Sequence, residues 1–184
     1  MTVFDASAKR MTRRSVLRRI GWTAGAIAAA SALPRGAALA QSATAGTPIM
    51  RAIPKTREMV PVIGLGTFET FDVNPGEPRA HLGEVLRRFY EAGGRVVDTS
   101  PLYGMSEVTV GDFAHALGIA DRLFIANKTW TTGEWLSDNS HSEAQFRRST
   151  ERLWRARMDL MQVHSLENYD QVLHLFRRWK DEGR

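Results

Sequence analysis

The chain has 184 residues, 43% hydrophobic and 24% charged, a composition that can fill a buried core and excludes an intrinsically disordered protein. Its formal net charge of +5 is uneven: residues 1–40 hold seven of the 25 Lys and Arg but one of the 20 Asp and Glu, leaving 18 basic against 19 acidic residues, so no nucleic-acid-binding surface is expected. The absence of cysteine excludes disulfides, thiolate metal ligands, thiol nucleophiles and a lipid-modified cysteine.

The early basic residues, Lys9, Arg10, Arg13, Arg14, Arg18 and Arg19, precede an apolar, alanine-rich run from Ile20 to Leu33. That run is too short for a comfortable membrane span, so no stable membrane anchor is expected. Pro34-Arg35 and then Ala38-Leu39-Ala40 complete a signal-peptide layout with cleavage after Ala40. Thr12 to Arg18, with the pair Arg13-Arg14, resembles a twin-arginine signal, which implies the twin-arginine export machinery as a partner and a periplasmic or otherwise exported protein. The competing reading is a basic amphipathic surface segment. The chain therefore divides into a signal at 1–40, a small-residue linker at 41–49 and a folded region at 50–184.

Met50 to Pro54 and Glu58 to Pro61 suit a short hairpin leading into Val62-Ile63-Gly64-Leu65-Gly66-Thr67, read as the first strand of the main sheet. Gly64 and Gly66 remove side chains either for close approach of a ligand or for tight packing at a strand end. Leu82, Val85, Leu86 and Phe89 follow helical spacing up to Gly93-Gly94. A second strand, Arg95 to Asp98, runs into the loop Thr99-Ser100-Pro101-Leu102-Tyr103-Gly104, and a helix from about Ser106 carries Val110, Phe113, Ala114 and Leu117 on one stripe. Leu123 to Asn127 is the third strand and delivers Lys128. Ser142-Glu143-Ala144-Gln145 predicts a capping box for a third helix reaching Arg157, with Phe146, Leu153 and Trp154 buried. Leu160 to Val163 is the fourth strand and delivers His164. A last helix from Asn168 buries Val172, Leu175, Phe176 and Trp179.

This βαβαβαβα order favours parallel strands, and right-handed crossovers bring Asp98, Tyr103, Lys128 and His164 to the same end of the sheet. The fold class is α/β, of the (β/α)8 TIM-barrel type, with four of the eight units of a barrel in this chain. Tyrosine is a weak acid, so donating its proton at neutral pH calls for a cation that favours the phenolate; Lys128 supplies one and Asp98 its counter-ion. His164 can donate a hydrogen bond to the same substrate oxygen. Each residue also has a plain reading: a structural ion pair for Lys128 and Asp98, a capped histidine for His164, a pocket wall for Tyr103. No metal is expected, because Asp98 and His164 lack an evident third ligand. His81, His115, His141 and His174 read as surface residues. Trp130 and Trp135 wall a substrate pocket or simply pack.

Val62 to Thr67, the Asp98-x4-Tyr103-Gly104 loop with Ser106-Glu107, Asn127-Lys128-Thr129 and Asp159 to His164 resemble, in order and spacing, the aldo-keto reductases. The resemblance implies hydride transfer from NADPH, with NADH the other candidate, to a small aldehyde or ketone. Tyr103 would be the general acid, Lys128 and Asp98 would tune it, and His164 would orient the carbonyl. It further implies that Gly66 and Thr67 lie against the cofactor and that Asp98 contacts the nicotinamide ribose. The family's remaining nucleotide-binding residues fall beyond Arg184. The alternative expectation is therefore a truncated, inactive barrel fragment that binds or scaffolds, with two open sheet edges and a tendency to dimerise or aggregate.

Overall fold

The computed structural model describes residues 46–184. An antiparallel hairpin of β1 (Met50–Ala52) and β2 (Met59–Pro61) precedes a four-stranded parallel sheet: β3 (Gly64–Gly66), β4 (Val96–Asp98), β5 (Phe124–Thr129) and β6 (Leu160–Val163), paired in that order. Helices α1 (Ala80–Glu91), α2 (Ser106–Ala116) and α3 (Ser140–Leu153) connect successive strands, and α4 (Tyr169–Asp181) follows β6. This is the α/β architecture of part of a TIM barrel, as the alternation of periods predicts.

With parallel strands in sequential order, right-handed crossovers gather the helices on one face of the sheet. The core lies between the layers: Val97 and Ile125 from the strands meet Leu82, Leu86, Val110, Leu153 and Trp179 from the helices. Leu86 is fully buried, and burial of such a side chain stabilises by about 1.5–3 kcal/mol. Phe146 of α3 and Trp179 of α4 tilt together with ring centroids 4.6 Å apart. Helix α2 approaches α3 so closely that a Cβ on Gly111 would run into the Arg152 carbonyl, so that position admits only glycine without a backbone shift.

Three helical details differ from expectation. Val85 is 42% exposed although it shares the spacing of Leu82 and Leu86, because it sits at the rim of a stripe whose centre those two leucines occupy. Helix α3 starts at Ser140 rather than Ser142, and no capping box forms. Asp138 takes the amide and hydroxyl of Ser140 at 2.8 and 2.6 Å, while Glu143 reaches away to Arg178, Trp179 and Arg184. Those contacts outweigh the penalty of burial and hold the Glu143 carboxyl below its ordinary range. The helix also ends at Leu153: Trp154 is left-handed (φ 56°), exposed, and stacked on His115 at 4.4 Å.

Register sets the geometry of the sheet's upper end. Asp98 pairs with Ala126, and Lys128, two residues on, shares Ala126's face. Lys128 in turn pairs with Gln162. Strand β5 runs through Lys128 to Thr129, longer than the expected Leu123 to Asn127, and so carries the lysine on regular backbone.

Candidate active site

The loop after β4 is pinned before it turns. Thr99 N donates to the Ala126 carbonyl at 3.0 Å, which continues the sheet one residue past Asp98, and the buried Ser100 hydroxyl accepts from Leu102 N at 3.2 Å. Tyr103 N donates to the Ser100 carbonyl at 3.0 Å. Gly104 follows with φ 55°, a left-handed turn in which a Cβ would strike the Asp72 carboxylate, and that carboxylate accepts the Met105 amide at 2.7 Å. Asp72 thus anchors the turn that presents the phenol, a contact 33 residues away in sequence with no local signal.

Lys128 Nζ donates to Asp98 Oδ1 at 2.6 Å and to the Thr99 carbonyl at 3.0 Å. Its side chain is 12% exposed, whereas that of Asp98 is 43% exposed. The second Asp98 oxygen accepts from Gln162 Nε2 at 3.3 Å. The ammonium stands 4.8 Å from the centre of the Tyr103 ring, and that ring meets His164 edge-on with centroids 5.7 Å apart. All four expected polar residues therefore meet at one sheet end. Phe68, 59% exposed on the loop after β3, tilts against Tyr103 with centroids 5.0 Å apart.

Beneath Lys128, Asn127 Nδ2 donates to the fully buried Glu107 at 2.9 Å, and Arg152 pairs with the other Glu107 oxygen at 3.2 Å. Asn127 Oδ1 accepts the Lys128 amide at 2.8 Å, so Asn127, held by the buried Glu107, fixes the backbone that carries the ammonium.

His164 opens a short turn at the end of β6, and its Nδ1 lies 3.0 Å from the Ser100 hydroxyl. Burial, then the Lys128 charge, push its pKa below the usual imidazole value, with Asp98 opposing. Both effects favour the uncharged form of the ring. Ser165, Leu166 and Asn168 adopt left-handed conformations (φ 55°, 57° and 53°), and the Asn168 amide holds the turn by donating to the Leu136 carbonyl at 2.9 Å.

The other expected site residues divide. A Cβ on Gly66 would meet nothing, so backbone there is open to a ligand. Thr67 is fully buried, its hydroxyl and amide both donating to the Asp98 carbonyl at 3.0 and 3.1 Å and its own carbonyl accepting from Ser106, so it acts as a structural tie. Trp130 is half-buried, its backbone clamped by the Gln145 amide at 3.1 and 2.8 Å; Trp135 stacks on His141 at 5.0 Å. His141 is thus half-buried between Trp135 and Gln145 rather than a free surface residue. A cavity of about 430 Å³ opens beside Met158 and Leu160, at the opposite end of β6, and none of the four polar residues lines it. Among the described residues no group of three His, Cys, Asp or Glu side chains could hold a metal, and no helix is long and apolar enough to cross a membrane.

Ser100 and Gln162 were missed from the sequence. Both contact the expected residues across 64 positions, and the one available signal was placement: Ser100 two residues past Asp98, Gln162 two before His164.

Residues 62–183 match the model of the aldo/keto reductase family. The chain belongs to that family. Two solved structures of proteins assigned as aldo-keto reductases from Pseudomonas aeruginosa resemble it with a TM-score of 0.55 each, at 23% and 22% identity, over 66% of this chain and 51% and 49% of theirs. At that identity the likeness shows the fold. A Klebsiella pneumoniae aldo/keto reductase crystallised with NADP and acetate is 25% identical over 57% of this chain and 35% of its own, with a TM-score of 0.49. This aldo/keto reductase chain thus spans about half the length or less of these solved structures. No curated protein sequence matches it. The twin-arginine motif and the cleavage position after Ala40 lie outside the described residues.

Proposed function

We propose that this chain reduces an aldehyde or ketone to an alcohol, with NADPH as cofactor and NADH as the other candidate. One observation carries the reading: the Lys128 ammonium bridges Asp98 at 2.6 Å while standing 4.8 Å from the Tyr103 ring. A cation held against a phenol by a half-exposed carboxylate suits proton donation to a substrate oxygen. Open backbone at Gly66 and the exposed part of Asp98 fit the approach of a nicotinamide ribose. When bound, the cofactor supplies the hydride that becomes the new C–H bond at the carbonyl carbon.

Tyr103 gives its phenolic proton to the carbonyl oxygen as the C=O π electrons move onto that oxygen. Lys128 stabilises the phenolate left behind, and solvent restores the proton. Neutral His164 donates from Nε2 to the same oxygen, which orients the carbonyl and stabilises its growing charge. Asp98 holds Lys128 in place. A panel of small aldehydes and ketones tests the proposal: alcohol should form in step with NADPH oxidation. Oxidation without alcohol, or no turnover of any carbonyl, would count against it.

Export belongs to the same proposal. Arg13-Arg14 ahead of the Ile20 to Leu33 run supports the twin-arginine route. Lysine at both positions should leave precursor in the cytoplasm; an unchanged periplasmic yield would argue for another route.

A further inference from the structure

We propose that Ser100 is a positioning residue for His164: its hydroxyl donates to Nδ1, which holds the imidazole in its Nε2–H form and leaves that N–H free for a substrate carbonyl. The argument is one of hydrogen-bond capacity. A serine hydroxyl has one proton and two lone pairs. One lone pair of Ser100 Oγ already accepts the Leu102 amide at 3.2 Å. The residue is fully buried, and among the described residues His164 Nδ1, at 3.0 Å, is the other partner within reach of that oxygen. If Nδ1 carried the proton, Ser100 Oγ would accept twice and its own O–H would be buried without an acceptor, the arrangement that native structures avoid.

With Nδ1 as acceptor, the ring proton resides on Nε2, the nitrogen without a hydrogen-bond partner among the described residues. The ring meets Tyr103 edge-on with centroids 5.7 Å apart, so the imidazole and the phenol are neighbours at this sheet end. The other charged groups at this sheet end, Lys128 and Asp98, are paired with each other and make no hydrogen bond to the imidazole. Among the described residues, Ser100 alone therefore sets the tautomer. Its backbone has a separate task, since its carbonyl accepts the Tyr103 amide. One residue thus ties both donors of the proposed reduction, on which the catalytic part of this inference rests.

The test is nitrogen NMR of the chain carrying heavy-nitrogen-labelled histidine, with His164→Gln used to assign the His164 signals. Above the titration range of the ring, Nε2 should be protonated and Nδ1 should show the shift of an unprotonated nitrogen accepting a hydrogen bond. Ser100→Ala should abolish that hydrogen-bond shift and mix the two tautomers, and Ser100→Thr, which keeps the hydroxyl, should restore it. A protonated Nδ1 in the unaltered chain, or a Ser100→Ala spectrum identical to it, would overturn the proposal. Should Ser100→Ala lose its circular dichroism, the unaltered chain and Ser100→Thr still decide. In turnover assays, Ser100→Ala should lower kcat/KM by roughly ten- to a hundredfold, the range known for losing the outer partner of a metal-ligating histidine, with recovery in Ser100→Thr. Because the NMR reads the tautomer without turnover, a chain that reduces no carbonyl would defeat the Proposed function and leave the Ser100 assignment to stand or fall on its own spectrum.

Discussion

Two ion pairs sit at opposite ends of the parallel sheet, and they spend their hydrogen bonds differently. Where β5 and β6 begin, Arg155 pairs with Asp159 at 2.9 Å and donates to the carbonyls of Ala120 and Leu123 at 2.7 Å each, while Asp159 also accepts the Ile125 amide at 2.8 Å. Their side chains are 6% and 16% exposed. Where the strands end, Lys128 and Asp98 are as close, yet Asp98 stays 43% exposed and Tyr103 lies alongside. The first pair closes the fold around itself. The second leaves a half-open carboxylate beside a half-buried phenol whose hydroxyl has no hydrogen-bond partner among the described residues, which is why we read chemistry at one end and stability at the other.

Breaking the upper end should cost turnover first. Tyr103→Phe removes the proton donor and keeps the ring against Phe68 and His164, so carbonyl reduction should fall roughly 10²- to 10⁴-fold with cofactor affinity nearly unchanged. Retained turnover would return Tyr103 to the role of a pocket wall. Breaking the lower end should cost stability instead. Arg155→Met strands a buried carboxylate and two carbonyls, and chemical denaturation should show a loss of about 3–5 kcal/mol.

Lys128→Met sharpens the contrast. Because water and Gln162 still reach Asp98, its stability loss should be only about 1 kcal/mol, while turnover falls with that of Tyr103→Phe. Equal destabilisation by Arg155→Met and Lys128→Met would erase the distinction between the two ends. The smallest effect concerns pH. His164 titrates below its unfolded value of 6.5, so between those values the unfolded chain binds more protons and stability rises with pH, levelling above 6.5. His164→Gln should flatten that slope in urea titrations. The contribution of Glu143, whose carboxyl is held below 4.5, is lost at more acid pH and can be read apart.

The sheet was largely legible because its signals are local. Leu160 to Val163 appears as β6 with the bounds its apolar run suggests, and period-two alternation places Asp98 and Lys128 on one face once the register is known. Helix ends were less legible, because partners distant in sequence decide them. Ser142 and Glu143 have capping-box spacing, but Arg178, Trp179 and Arg184 claim Glu143 from α4 and the chain end, and Asp138 starts the helix early. Trp154 looks like a core residue by spacing, yet the left-handed turn at the end of α3 carries it outward. At the site, the residue types that do chemistry stood out, and those that position them did not. Ser100, Gln162 and Asp72 are ordinary loop or strand residues until the fold brings them to His164, Asp98 and the Gly104 turn.

We propose that at the upper sheet end a carbonyl carbon receives hydride from NADPH while Tyr103 protonates the oxygen. Incubating the chain with NADPH deuterated at the transferring nicotinamide position and a small aldehyde, then analysing the alcohol by mass spectrometry, tests it most directly. We predict one deuterium on the carbinol carbon. An alcohol without deuterium, or no alcohol above the level of a protein-free control, would contradict the account.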